Sequence, residues 1–175
     1  VVPDLPRGAR LLEIGSASGR FAQYARADRG WTVTEVDGVG AAEALTPPAG
    51  TYDAVVGWQT LEHCLDPAAV LRMAHTALAP AGWLILSVPN IRSVERWRSG
   101  AGWTAWQVPV HLWHFSPRTL RQLVERCGFR VQRIYQQRVF KELHGWMSDA
   151  VGTVVAACGL SSRMTLVARP VLRDA

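Results

Sequence analysis

The nine residues Leu11 to Gly19, LLEIGSASG, constrain this chain more than any other stretch. Arg10 to Ile14 reads as a buried strand and Gly15-Ser16-Ala17-Ser18-Gly19 as a tight turn leaving it. Arg20 to Asp28 then reads as a helix with Phe21, Tyr24 and Ala25 on one face. A strand, a glycine-rich turn and a helix in succession are how α/β proteins hold nucleotides. The glycines let the backbone approach the ligand, and the helix start offers unbonded N–H groups.

The rest of the chain repeats the alternation. Trp31 to Val36 is a β-branched strand ending at Asp37-Gly38, where an acidic tip is placed to accept hydrogen bonds from ribose hydroxyls or simply to turn the chain. Val39 to Leu45 fits a short helix, and Asp53 to Gly57 a buried strand. Asp66-Pro67 caps a helix whose apolar face is Val70, Leu71, Ala74 and Leu78, stopped by Pro80-Ala81-Gly82. Trp83 to Val88 is a further strand, and Ile91 to Phe115 a long aperiodic segment of the kind that forms lids. Ser116-Pro117 opens a helix with Leu120, Leu123, Val124 and Cys127 at helical spacing, and Arg130 to Tyr135 is a strand. Lys141 to Leu160 is ambiguous, and Met164 to Ala168 makes a last strand. Strands alternating with helices predict a mostly parallel sheet covered on both faces, a Rossmann-like doubly wound α/β fold in one domain, 1–175.

Composition narrows the function. No apolar run reaches the roughly 18 residues that span a bilayer. Cys64, Cys127 and Cys158 make no metal or redox spacing, which together with the absence of a signal sequence gives a cytoplasmic expectation. The formal charge of +5 comes from scattered arginines without an aromatic-basic motif, which disfavours a nucleic-acid partner. Of eight tryptophans, Trp97, Trp103, Trp106 and Trp113 fall in the aperiodic segment beside Arg92, Arg96 and Arg98. Such a segment suits stacking on a sugar or aromatic acceptor with arginines on phosphates, peripheral contact with a membrane interface, or plain loop packing.

Four stretches in order resemble the class I S-adenosylmethionine-dependent methyltransferases, in particular the methyltransferase-domain family that includes ubiquinone-biosynthesis-type and polysaccharide-cluster enzymes. They are LLEIGSASGRF, VTEVDG, the specific YDAVVGWQTLEHCLDPAAVLRMAHTALAPAGWLILSVPN, and HLWHFSPRTLRQLVERCGF. The resemblance implies S-adenosyl-L-methionine as cofactor, with Glu13, Gly15, Ser16, Ala17 and Gly19 around its methionine part and Asp37 on the ribose. It puts Gly57, Trp58 and Gln59 beside the sulfonium, and His63, His111 and His114 on the substrate side as catalytic candidates. It also implies an antiparallel strand near the C-terminus.

Departures from the family pattern carry expectations of their own. Ala17 replaces the middle glycine of the first motif, which costs little if its φ is negative. About 15 residues separate Asp37 from Asp53, too few for a helix, a strand and an adenine-contacting loop, so the third strand is expected to be missing or vestigial, leaving six. The chain starts directly at the first strand, without the helices that usually cover the active site, so a partner is a candidate for that cover. Glu62-His63 sits where some relatives hold a divalent ion through Glu-x-x-Glu-His. Here Gln59 replaces the first carboxylate, which disfavours a metal. His111 and His114 lack an evident third ligand and read as a general base, substrate contacts or backbone anchors. His75 and His144 are not favoured.

The expected function is methyl transfer to a small-molecule acceptor, to oxygen before nitrogen or carbon, on a sugar, glycolipid precursor or other metabolite. The alternative is a degenerate, non-catalytic subunit that binds a partner. A nicotinamide-dependent oxidoreductase is disfavoured, because its G-x-G-x-x-G wants a small residue where Arg20 stands.

Overall fold

A computed structural model describes residues 3–36, 47, 49–136 and 153–171. Asp37, the proposed 39–45 helix, the interval of the expected third strand (37–46 and 48) and His144 lie outside the described residues.

The elements follow the sequence pattern: β1 (Arg10–Ile14), α1 (Arg20–Arg29), β2 (Thr32–Val36), β3 (Tyr52–Trp58), α2 (Pro67–Ala77), β4 (Leu78–Pro89), α3 (Val94–Ser99), α4 (Pro117–Arg126), β5 (Phe129–Gln136) and β6 (Arg163–Pro170). Six strands are described in one sheet, in the order β2-β1-β3-β4-β6-β5. Only β6 runs against its neighbours, pairing antiparallel with β4 and β5. The chain leaves β1 toward β2 on one side and returns through β3 on the other. The order therefore reverses between β1 and β3, where Ile14 lies beside Gly57. In open α/β sheets this is where a crevice forms beyond the strand ends.

Side chains alternate across the strands and feed two cores. Leu12 and Ile14 of β1, Val55 of β3 and Leu84 and Leu86 of β4 pack against Leu71 and Ala74 of α2 and Leu120 and Val124 of α4. Leu11, Val33, Ala54, Val56 and Ile85 face Ala22 and Ala25 of α1 on the other side. Burying a leucine of this kind contributes about 2 kcal/mol. The helices start where the sequence signals it. Asp66 accepts from Ala68 N and Ala69 N at the head of α2, and Ser116 and Thr119 form a reciprocal capping box on α4.

Three local expectations are corrected. Tyr24 is 51% exposed, and α1 meets the sheet through Ala22 and Ala25 instead. At about 100° per residue, Tyr24 points roughly 130° away from the midpoint of those two alanines. Leu78 is extended rather than helical and pairs with Tyr52. The chain then bulges before Trp83 joins Ala54, and a side chain on Gly82 would come within 2.8 Å of Leu78 Cδ2. The aperiodic segment 91–115 contains α3 and a 3-10 turn at Gly100–Gly102. It is a closed excursion, because Ile91 N donates to Phe115 O at its neck. Among the described residues no helix is long and apolar enough to cross a membrane.

Candidate functional site

Past β1 the backbone turns through three left-handed residues: Gly15 (φ 69°), Ala17 (φ 46°) and Gly19 (φ 64°). Ala17 therefore does not adopt the negative φ that would make it a cheap replacement for glycine. The turn needs a left-handed residue there, and the Cβ is strained by about 1–2 kcal/mol. Gly15 N donates to Val36 O and Gly19 N to Ser16 O, which fixes the loop between β1 and β2. A Cβ on Gly15 would lie 2.7 Å from both Thr60 Cγ2 and Thr60 Oγ1, so only glycine fits. Gly19 caps α1 without a side chain, which leaves the first N–H groups of a ten-residue helix to face the crevice. Glu13 and Ser16 are buried at the same turn.

The opposite wall comes from the end of β3. Gly57 and Trp58 are its last residues, and Trp58 packs on Phe21 of α1 with ring centroids 5.3 Å apart. Gln59 turns left-handed (φ 55°), held by its N–H on Ser87 O and its amide on Ser87 Oγ. Thr60 is buried and donates from Oγ1 to Ile14 O at 2.9 Å, tying the two walls together.

All three candidate histidines come together beyond this wall. His63 and His111 rings are 4.6 Å apart and His111 and His114 6.4 Å, with Trp106 edge-on to His114 at 4.8 Å. His63 Nδ1 donates to Val110 O and His111 Nδ1 to Ala105 O. A carbonyl only accepts, so in the neutral tautomer of each ring the proton is on Nδ1 and the lone pair on Nε2. His114 bonds through Nε2 to Trp106 O, which is the anchoring role that the sequence also allowed. Burial, reinforced by the fields of His63 and His114, holds the His111 pKa below the ordinary imidazole value, against a smaller upward pull from Ala105 O. At neutral pH His111 is a base.

Glu62 was weighed from sequence only as a metal ligand, and the structure puts it at the centre of the cluster. It is fully buried, and neither carboxylate oxygen has a hydrogen-bond partner among the described residues. Burial pushes its pKa up from 4.5 to about 7, partly offset by the dipole of its own backbone N–H and by the Arg163 guanidinium. Its carbonyl accepts from Leu112 N and Trp113 N, and Trp113 Nε1 donates to Cys64 O, so the short 3-10 turn Leu61–His63 carries the lid. Ligand atoms of Glu62, His63 and His111 lie within 4.8 Å of one another. The fold thus supplies a third donor that sequence spacing did not reveal.

A cavity of about 430 Å³ lies on the histidine side, with Gln59 of the crevice wall on one edge and His63, His111, Trp103, Glu95 and Arg163 around the rest; no residue of the glycine turn lines it. Arg92, Arg96 and Arg98 do not line it. Of the lid tryptophans, Trp103 does so, being buried at 4% exposure, whereas Trp97 is 78% exposed. Trp103 is one of the four tryptophans weighed for stacking on an acceptor, whereas Glu95 and Arg163 were not singled out, since nothing in their local sequence ties them to the histidines.

A family model described as a methyltransferase domain matches residues 1–134. The ubiquinone biosynthesis O-methyltransferase of Leptothrix cholodnii is 31% identical over 48% of this chain and 37% of its own length. The enzyme of the same name from Caulobacter sp. is 29% identical over 61% of this chain and 52% of its own length. The chain therefore spans half or less of the first of these relatives and about half of the second. A crystal structure of an S-adenosylmethionine-dependent methyltransferase from Thermotoga maritima, described as a possible histamine N-methyltransferase, superposes with a TM-score of 0.66. It covers 97% of this chain and 84% of that one at 20% identity, a likeness of fold.

Proposed function

This chain belongs to the methyltransferase-domain family, and from that premise we propose that it methylates a hydroxyl of a small-molecule acceptor with S-adenosyl-L-methionine. The observation that carries the reading is the 430 Å³ cavity, whose lining includes both Gln59 of the crevice wall and the imidazoles of His63 and His111. The names of the relatives, O-methyltransferases of ubiquinone biosynthesis, favour oxygen as the acceptor atom.

Bound in the crevice, S-adenosylmethionine supplies a methyl group already activated on a cationic sulfur. The protein's share is placement and proton handling. The uncapped start of α1 and the turn Gly15 to Gly19 receive the carboxylate end. Asp37, the next residue in sequence after β2, is assigned to the ribose, and Gly57, Trp58 and Gln59 to the sulfur side. Trp103 lines the cavity and offers aromatic surface to an acceptor such as a sugar or an aromatic ring. With that methyl donor bound, Nε2 of His111 or His63 would accept the proton of the acceptor hydroxyl. Alignment and exclusion of water by the lid provide the remaining acceleration.

A second reading rests on the Glu62, His63 and His111 cluster. One carboxylate and two imidazoles, each imidazole bonded to a carbonyl through its other nitrogen, fit a borderline divalent ion such as zinc. These three side chains would hold the ion, whose Lewis acidity would favour the ionised acceptor hydroxyl.

The test is calorimetric titration with S-adenosylmethionine and S-adenosylhomocysteine, followed by an acceptor screen for methyl transfer. Micromolar binding of both, lost in Asp37→Ala, supports the assignment. A folded protein that binds neither leaves a non-catalytic member of the family.

A further inference from the structure

Residues 159–162 form a strap between two cavities. Fully buried Asn90 holds it, donating from Nδ2 to Gly159 O and Ser161 O. Ser162 borders the histidine cavity, whereas Gly159 and Leu160 border a second one of about 600 Å³ that shares no lining residue with the first.

Three arginines line the second cavity: Arg92 at the start of the lid, and Arg118 and Arg121 one turn apart on α4. No carboxylate lines it among the described residues. Arg121 reaches Glu125 along its own helix at 3.2 Å, in an exposed pair that leaves most of the positive potential in place. Pro117 brings the N-terminal end of α4, itself positive, to the same wall. Gln136 also lines the cavity, and its Oε1 is buried without a hydrogen-bond partner among the described residues. Ile134 and Leu160 make the wall partly apolar. Forked guanidinium donors match phosphate geometry, and three cations with no carboxylate among the described lining residues suit a dianion better than a single carboxylate. Rotation of the Gln136 amide brings this orphaned acceptor into the cavity, where a ligand hydroxyl satisfies it.

We propose that this second cavity binds a hydroxylated phosphate ester, with the phosphate on Arg92, Arg118 and Arg121 and a ligand hydroxyl donating to Gln136 Oε1. The site is separate from the methyl-transfer cavity and accounts for an arginine that the lid composition alone would have assigned to the acceptor.

Calorimetric titration at low ionic strength with inorganic phosphate, glycerol 3-phosphate and glycerol tests it. One-site binding of both phosphates is expected, severalfold tighter for glycerol 3-phosphate, with no heat from glycerol. Arg92→Gln and Arg118→Gln each weaken both phosphates at least tenfold. Gln136→Leu reduces glycerol 3-phosphate to the level of inorganic phosphate. Arg130→Gln, an exposed arginine of β5 outside the cavity, leaves both unchanged, and circular dichroism confirms that each variant folds. Cosedimentation with phosphatidylglycerol vesicles but not phosphatidylcholine vesicles, dependent on Arg92 and Arg118, assigns the ester to a lipid headgroup. Its absence alongside soluble binding assigns it to a free metabolite. The proposal is overturned if neither phosphate saturates, or if Arg130→Gln weakens binding as much as Arg92→Gln, since the chain's net charge would then be the cause.

Discussion

Thr60 Oγ1 donates to Ile14 O at 2.9 Å, and the same hydroxyl lies 2.7 Å from where a Cβ on Gly15 would stand. One buried side chain therefore joins the ends of β1 and β3 and also dictates a glycine at the start of the turn. Thr60→Val keeps the shape and removes the bond, at a cost of about 1–2 kcal/mol in urea unfolding. Gly15→Ala meets both the contact and the left-handed φ. It is expected to lose measurable S-adenosylhomocysteine binding as well as stability, and retention of wild-type affinity would refute this account of the turn.

Ala17 makes the opposite case. Its φ of 46° strains an alanine, so Ala17→Gly should stabilise the fold. Relief of the left-handed strain is partly offset by the larger unfolded-state entropy of glycine, leaving about 0.5–1 kcal/mol. Differential scanning calorimetry should show a Tm rise of about 2 °C. A fall would mean that the Cβ makes a contact worth more than the strain.

Glu62 gives a pH dependence with a defined sign. Its folded pKa of about 7 lies above the ordinary 4.5, so the folded state holds the proton more tightly than the unfolded chain does. That contribution is complete below pH 4.5 and is lost as the pH rises toward 7, a change on the order of 3 kcal/mol. In chelator-treated protein, urea unfolding between pH 5 and 8 should show this decline, and Glu62→Gln should flatten it. Equal slopes in the two proteins would rule out Glu62 as the source.

His111 is set up as a base by its Nδ1 bond to Ala105 O and by a pKa held below 6.5 through burial. His111→Ala should lower kcat by about 10²–10³ while leaving S-adenosylhomocysteine affinity intact. The acid limb of the wild-type pH–rate profile should lie below pH 6.5, where the ring protonates. A profile unchanged in the variant would move the role to His63.

Metal removal separates the two readings of the cluster. If His111 and His63 act as proton acceptors alone, exhaustive chelation leaves kcat unchanged. If Glu62, His63 and His111 hold an ion, chelation abolishes turnover and zinc restores it, with one equivalent bound by elemental analysis.

What the sequence determined by itself was whatever local pattern encodes. The apolar runs of β1, β3 and β4, the caps Asp66 and Ser116, and the glycines of the first turn were legible because strand burial, helix capping and left-handed turns are decided within a few residues. The order of elements then specified a doubly wound sheet with its crevice at β1 and β3. The tertiary structure alone decided which distant groups meet. Thr60 bonds across the crevice, Glu62 and His63 join His111 from a segment 48 positions away, and Arg92 leaves the acceptor side for a second cavity with Arg118 and Arg121. Helix phase belongs there too. Tyr24 and Leu78 were misplaced because amphipathic spacing fixes a stripe only within a residue or two, and close contact with the sheet selects the small Ala22 and Ala25. Burial without partners, as at Glu62, has no sequence signature at all, since it arises only when the lid and the 3-10 turn close over the same carboxylate.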